Sequence, residues 1–381
     1  MAKWIFVIPF FMLVACGVAF AESGVTGNEI LLGQSCALSG PAEELGIGMR
    51  SGLNACFSKI NERGGINGRR IRLISMDDSY EPDKAIVNTR ALIEKENVFL
   101  LIGAVGTPTS KAVVPIAENA KVPFFCPFTG AEFLRNPFKK YVINLRGSYF
   151  QETEKLAQYL IDKKKLKNIA CFYQNDDYGL AGLEGIQNAL AKRKMELVAT
   201  GSYERNTVAV KSAILSIRKA RPDAIVMVGA YKPCAEFIKL ARKTGMGKTV
   251  FCNISFVGTE ALQQELGDAG EGCIISQVVI LPWDETIPIV QEYIDDMKKY
   301  QPEAKIGFVS LEGYMAGKLF CAVSESVEGD LTRENFLSAI EKKQKFDLGG
   351  FVLQFGPGDH QGMDEVFLTI IKGGKIVSIE G

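Results

Sequence analysis

The sequence predicts an α/β protein built from two doubly wound domains, and three observations carry that expectation. Apolar runs of strand length, such as residues 98–102 and 224–228, each end in a turn and are followed by a segment with an apolar helical face. This alternation reaches a first end near Leu145 and begins again from Tyr149. At 381 residues, 47% hydrophobic and 23% charged, the chain is long and apolar enough for two substantial cores.

The first residues stand apart from this pattern. Lys3 precedes an apolar run from Trp4 to Val14, and Ala19-Phe20-Ala21 has the small-x-small form of a signal-peptidase site. Residues 1–21 are therefore expected to be a signal peptide and the protein to be exported. Leu13-Val14-Ala15-Cys16 also resembles a lipobox, which keeps a lipid anchor at Cys16 as the alternative to the favoured cleavage after Ala21.

Residues 29–34 read as the first strand. Leu45, Met49, Leu53, Phe57 and Ile60 then recur at helical spacing until Gly64-Gly65 ends the pattern. Gly46, Gly48 and Gly52 lie on that helix and not in the strand-to-helix turn, so they suit close helix packing better than a dinucleotide turn. Residues 70–76 form the next strand. Asp77 and Asp78 beyond it are adjacent and point to opposite faces, which favours cap and turn roles over a metal or acid/base pair.

The run at 98–102 suits a strand buried on both faces of a parallel sheet. Thr107 reads as an N-cap, Pro108 as the first helical residue, residues 123–126 as the next strand, and 127–131 as the turn beyond it. Strands joined by a helical crossover lie parallel, so both turns emerge at the carboxyl edge, where open α/β sheets bind ligands. Thr107 and Thr129 should then face one crevice. The helix start at Thr107 adds free backbone N–H groups, a combination that suits a carboxylate or phosphate.

After a strand at 141–145 the second domain follows, with strands at 169–173, 198–201, 224–228, 250–253 and 272–279. The last part starts no third domain. Helices at 288–300, 313–324 and 333–342 and a hairpin over 366–379 complete the two lobes, with several chain crossings between them. The expected division is 24–148 with 279–362 for the first lobe, and 149–278 with 363–381 for the second.

Composition excludes several functions. Lys plus Arg and Asp plus Glu both number 44, and no basic stripe interleaved with aromatics occurs, so nucleic acid is not an expected partner. His360 is the only histidine, which removes most serine and cysteine hydrolase chemistry and most zinc sites. No metal or cofactor is expected. The eight cysteines after Cys16 are widely spaced, without a C-x-x-C, and read as buried free thiols, with one or two bridges left open.

Several motifs resemble one family. Leu38-Ser39-Gly40-Pro41, the run INERGGING at 60–68, Asp77-Asp78, the turn at 103–109, Asp177-Tyr178-Gly179 and Gly229-Ala230-Tyr231 are similar to the periplasmic leucine/isoleucine/valine-binding proteins. The likeness covers nearly all of the chain after residue 21, in the same order. It implies the type I periplasmic binding protein fold, two Rossmann-like lobes joined by hinge strands that close over a ligand. It also implies that a carboxylate is held by Thr107 beside Gly106 and by Phe128, Thr129 and Gly130, with Tyr178 and Tyr231 lining the pocket from the second lobe. In three places the chain departs from the family. Ser255 stands where the family clamps an ammonium with a glutamate, Leu45 where an aromatic covers the ligand side chain, and Tyr80 and Gly106 where some members have a disulfide. An acidic clamp could still come from Asp176, Asp177 or Glu152.

The resemblance implies a monomeric, non-enzymatic receptor for a small amino acid or related acid, working with the permease and ATPase of an ABC importer. A ligand-sensing receptor for amides or aromatic and aliphatic acids, acting with a signalling partner, is the alternative. A nucleotide-dependent oxidoreductase shares the α/β class but lacks its glycine fingerprint.

Overall fold

The computed structural model describes residues 22–379. The predicted signal peptide and Cys16 lie outside the described residues.

In the first lobe, strands β1 (Glu29–Cys36), β2 (Arg70–Asp77), β3 (Leu100–Ile102), β4 (Phe124–Phe125) and β5 (Val142–Ile143) alternate with helices α1 (Glu43–Glu62), α2 (Pro82–Arg90) and α3 (Thr107–Asn119). All five strands are parallel, in the order β2-β1-β3-β4-β5. The period-2 alternation of a strand splits its side chains between two faces: Leu31, Leu101, Phe124 and Val142 pack in one cluster, and Ile30, Leu32, Ile102, Phe125 and Ile143 in the other.

The second lobe opens with α4 (Tyr149–Ala157). It continues through β6 (Ile169–Gln174), α5 (Asp177–Ala191), β7 (Ala199–Tyr203), α6 (Lys211–Lys219), β8 (Ala224–Val228), α7 (Tyr231–Lys243), β9 (Val250–Asn253), α8 (Thr259–Leu266) and β10 (Ile274–Gln277). The chain then adds α9 (Pro288–Tyr300), α10 (Phe308–Glu325), α11 (Arg333–Lys343), the short pair β11 (Lys345–Asp347) and β12 (Val352–Gln354), and the hairpin β13 (Phe367–Lys372) and β14 (Lys375–Ser378). The second sheet runs β14-β13-β10-β9-β8-β6-β7, parallel except for the hairpin. Helix α10 starts five residues before the predicted 313, after Gly307, and the β11–β12 pair was not expected from the sequence.

Close helix packing explains the glycines of α1. A Cβ at Gly46 would lie 1.9 Å from the Ala37 carbonyl oxygen, and one at Gly52 1.9 Å from that of Ser310 on α10. Asp77 and Asp78 serve turns: Asp77 accepts from the Leu38 and Ser79 N–H groups and the Ser39 hydroxyl, Asp78 from Ser35 Oγ and the Tyr80 N–H. Residues 36, 56, 126, 171, 234, 252, 273 and 321 are free, buried cysteines, as the thiol reading expects. His360 is structural, with Nδ1 3.2 Å from the Val142 carbonyl and Nε2 3.1 Å from Glu341. Among the described residues no helix is long and apolar enough to cross a membrane.

Candidate functional site

The turns after β3 and β4 are zipped together by their backbones. Phe128 N–H donates to the Ala104 carbonyl at 2.7 Å, and Gly106 N–H to that of Phe128 at 3.2 Å. Helix α3 begins at Thr107 with Gly106 as its cap, one residue earlier than the sequence suggested. The reason is steric. Gly106 adopts φ +105°, and a Cβ there would lie 2.2 Å from the Tyr80 ring, so only glycine fits the cap. Freed from capping, the Thr107 hydroxyl lies 2.7 Å from that of Thr129, which in turn donates to Tyr149 Oη at 3.1 Å. All three are buried. Burial also raises the Tyr149 phenol, which therefore stays protonated and available as a donor. Gly130 supports this wall: its carbonyl accepts from Tyr149 N–H at 2.7 Å, and a Cβ there would meet the tyrosine ring at 2.6 Å.

The second lobe brings the carboxyl edge of its sheet to face these groups. Asp176 caps α5 by accepting from the Tyr178 N–H at 3.0 Å, which turns Tyr178 inward. Its ring lies 5.5 Å from Tyr149 and 4.4 Å from Phe256, and its hydroxyl donates to the Gly229 carbonyl at 3.4 Å. Phe256 also stacks near Phe128 at 5.5 Å and Tyr80 at 5.9 Å, so its ring joins the two lobes. Leu45 and Tyr231 occupy the α1 end of the cleft. Leu45 packs on Gly258 from the other lobe, beside a cavity of about 170 Å³, and the Tyr231 hydroxyl lies against the backbone of Glu44 at the start of α1. At the Tyr80 and Gly106 positions, ring packing replaces a disulfide.

Ser255 belongs to a buried polar group with Glu152, one of the three carboxylates considered above for an acidic clamp. Its N–H and Oγ donate to Glu152 at 2.7 and 2.9 Å, and Ser276 Oγ donates to the same carboxylate at 2.6 Å. Arg146 Nη2 donates to Ser255 Oγ. The fully buried guanidinium lies 4.5 Å over the Phe128 ring, 3.9 Å from Glu152 and 3.5 Å from Glu312 of α10. Burial pushes the Glu312 carboxyl up to about 7, with Arg146 drawing it back. Thr107, Phe128, Thr129, Gly130, Tyr178 and Ser255 thus form one cluster. Arg146, Tyr149, Phe256 and Glu312 are its additions. The strand-end argument that found Thr129 also points to the segment 146–149 just past β5, without saying which way Arg146 turns, whereas Glu312, in mid-helix, offers no such cue.

Two lobes with facing sheet edges and an enclosed polar cluster between them are the architecture of a binding protein. A family model described as periplasmic binding protein matches residues 29–375. The crystal structure of a possible leucine/isoleucine/valine-binding protein from Rhodopirellula baltica SH 1 is 37% identical, with a TM-score of 0.88 over 95% of this chain and 98% of that one. Leu/Ile/Val-binding protein homolog 7 of Brucella abortus (strain 2308) is 24% identical and covers 96% of both chains. The Leu/Ile/Val-binding protein of Escherichia coli (strain K12) is 21% identical over 78% of this chain and 80% of its own. The chain belongs to the periplasmic binding protein family, among its leucine/isoleucine/valine-binding members, a family of solute-binding proteins and not of enzymes.

Proposed function

We propose that this protein is the extracytoplasmic solute-binding component of a branched-chain amino acid type ABC importer and encloses a small carboxylate-bearing ligand between its lobes. The hydroxyl chain from Thr107 through Thr129 to Tyr149, at the N-terminus of α3, is the observation that carries this reading. Three hydroxyls and the free N–H groups of a first helical turn supply several donors and the positive end of a helix dipole, which is what a carboxylate needs. Tyr178, Phe256 and Phe128 give the remainder of the ligand an aromatic surface, and Leu45 and Tyr231 close the α1 end. In this reading the lobes, 24–148 with 279–362 and 149–278 with 363–381, move about the crossings between them. The protein works as a monomer, exported by residues 1–21 or anchored at Cys16, and passes its ligand to a permease and ATPase.

The test is direct. Small molecules released by denaturing freshly purified protein are identified by mass spectrometry, then returned to ligand-free protein in a thermal-shift assay. A ligand at 100 times its dissociation constant should stabilise the fold by about 2.7 kcal/mol. Recovery and rebinding of neutral compounds without a carboxyl group would overturn the reading.

A further inference from the structure

The guanidinium of Arg146 is the most unusual group in the cleft, because it is fully buried and only partly satisfied. Of its nitrogens, Nη2 is hydrogen-bonded to Ser255, while Nε and Nη1 have no hydrogen-bond partner. Glu312 approaches Nε at 3.5 Å but does not complete a hydrogen bond. Buried polar groups are almost always paired, so an unpaired donor face next to a ligand site calls for an acceptor.

The surroundings say what kind of group can sit there. Ser255 has spent its only proton on Glu152 and receives one from Arg146. Glu152 already takes three hydrogen bonds, out of about four acceptor positions on a carboxylate. The Ser255 corner keeps one lone pair of Ser255 and one acceptor position of Glu152, against three open N–H bonds on the guanidinium, so the larger unmet need is for an acceptor. A ligand ammonium would meet a guanidinium of the same sign. An oxygen would meet three unpaired N–H bonds, one on Nε and two on Nη1.

We propose that Arg146 is a specificity-determining residue that takes an acceptor oxygen of the ligand through Nε and Nη1. The solute is then a carboxylic acid with a second acceptor oxygen, a 2-oxo acid or a dicarboxylate, and not an α-amino acid. This rests on the carboxylate-binding reading given above and names the chemical class within it. The Phe128 ring under the guanidinium fixes the plane of the fork, which makes lysine a poor substitute.

Matched probes test the inference on the whole protein. Calorimetry on ligand-free protein compares leucine with 4-methyl-2-oxopentanoate, and glutamate with 2-oxoglutarate. At least one oxo acid should bind ten times or more tighter than its amino acid, and Arg146→Lys, checked by its unfolding transition, should erase most of that preference. The wild-type preference needs no variant, so it stands as a test even where Arg146→Lys fails to fold. Tighter binding of the amino acids, or a preference retained in folded Arg146→Lys, would overturn the role of Arg146 and leave the receptor reading in place. Binding of neither class, together with recovery of a neutral ligand, would overturn both.

Discussion

At the scale of single residues, Thr107 can be separated from its helix because Gly106, not Thr107, is the cap. Thr107→Ala removes the hydrogen bond to Thr129 and should cost about 1 kcal/mol of stability, while weakening a carboxylate ligand about tenfold or more. Paired chemical denaturation and titration measure both, and wild-type affinity in the variant would make the opening turn of α3 purely structural. Thr107 and Thr129 were legible in the sequence because they follow strands that a crossover forces to be parallel, which places both turns at one edge. Arg146 also follows a strand, yet nothing local says whether a long charged side chain reaches solvent or the cleft. Its direction is set by Phe128, Ser255 and Glu312, which come from three distant parts of the chain.

Among elements, periodicity located every strand of the two parallel sheets, since buried runs and amphipathic helices leave patterns that sequence can show. The β11–β12 pair did not, because strands of three residues carry no readable alternation. The seam between α1 and α10 relies on glycine: a Cβ at Gly52 would stand 1.9 Å from the Ser310 carbonyl oxygen and one at Gly313 2.3 Å from that of Met49. Gly52→Ala should force the helices apart and cost about 1–3 kcal/mol, lowering the thermal midpoint by several degrees; an unchanged midpoint would show that the seam has slack. Helix α8 makes a different contact. Glu260, in its first turn, accepts the Phe308 N–H at 3.0 Å from the start of α10 in the other lobe, and burial pushes its carboxyl up to about 7. From the unfolded glutamate pKa of about 4.3 up to about 7, the folded chain keeps a proton that the unfolded chain has lost, so stability falls as pH rises through that window. Glu312, also near 7, and Asp78, near 6, act in the same direction. Urea midpoints should therefore decline from pH 5.5 to 7.5, and Glu260→Gln, which keeps an acceptor for Phe308, should make the decline shallower. An identical slope in the variant would mean that Glu260 titrates normally.

Across the whole molecule, the two lobes meet through polar and apolar contacts of unequal worth. The polar contacts over the cleft include Arg205 with Glu81 at 2.9 Å and Lys232 with Glu43 at 3.8 Å, partly exposed pairs of a kind that contributes about 0–1 kcal/mol each. Opposing them, closure buries Arg146 with two nitrogens unpaired and keeps Glu312 in a site that raises its pKa. Apolar contact between the lobes includes the Phe256 ring against Tyr80 and Phe128. A ligand that pairs the Arg146 donors and fills the hydroxyl cradle would favour the closed form by as much as its affinity for that form exceeds its affinity for an open one. Two of the connecting segments are joined by backbone hydrogen bonds: Asn144 N–H donates to the His360 carbonyl and Gly362 N–H to that of Asn144, both at 2.8 Å. Small-angle scattering should then show a smaller radius of gyration with a saturating acid than without it. An unchanged curve with bound ligand would mean that the cleft is already closed when empty, and that access to the site comes from local motion of Phe256 and not from hinge movement of the lobes.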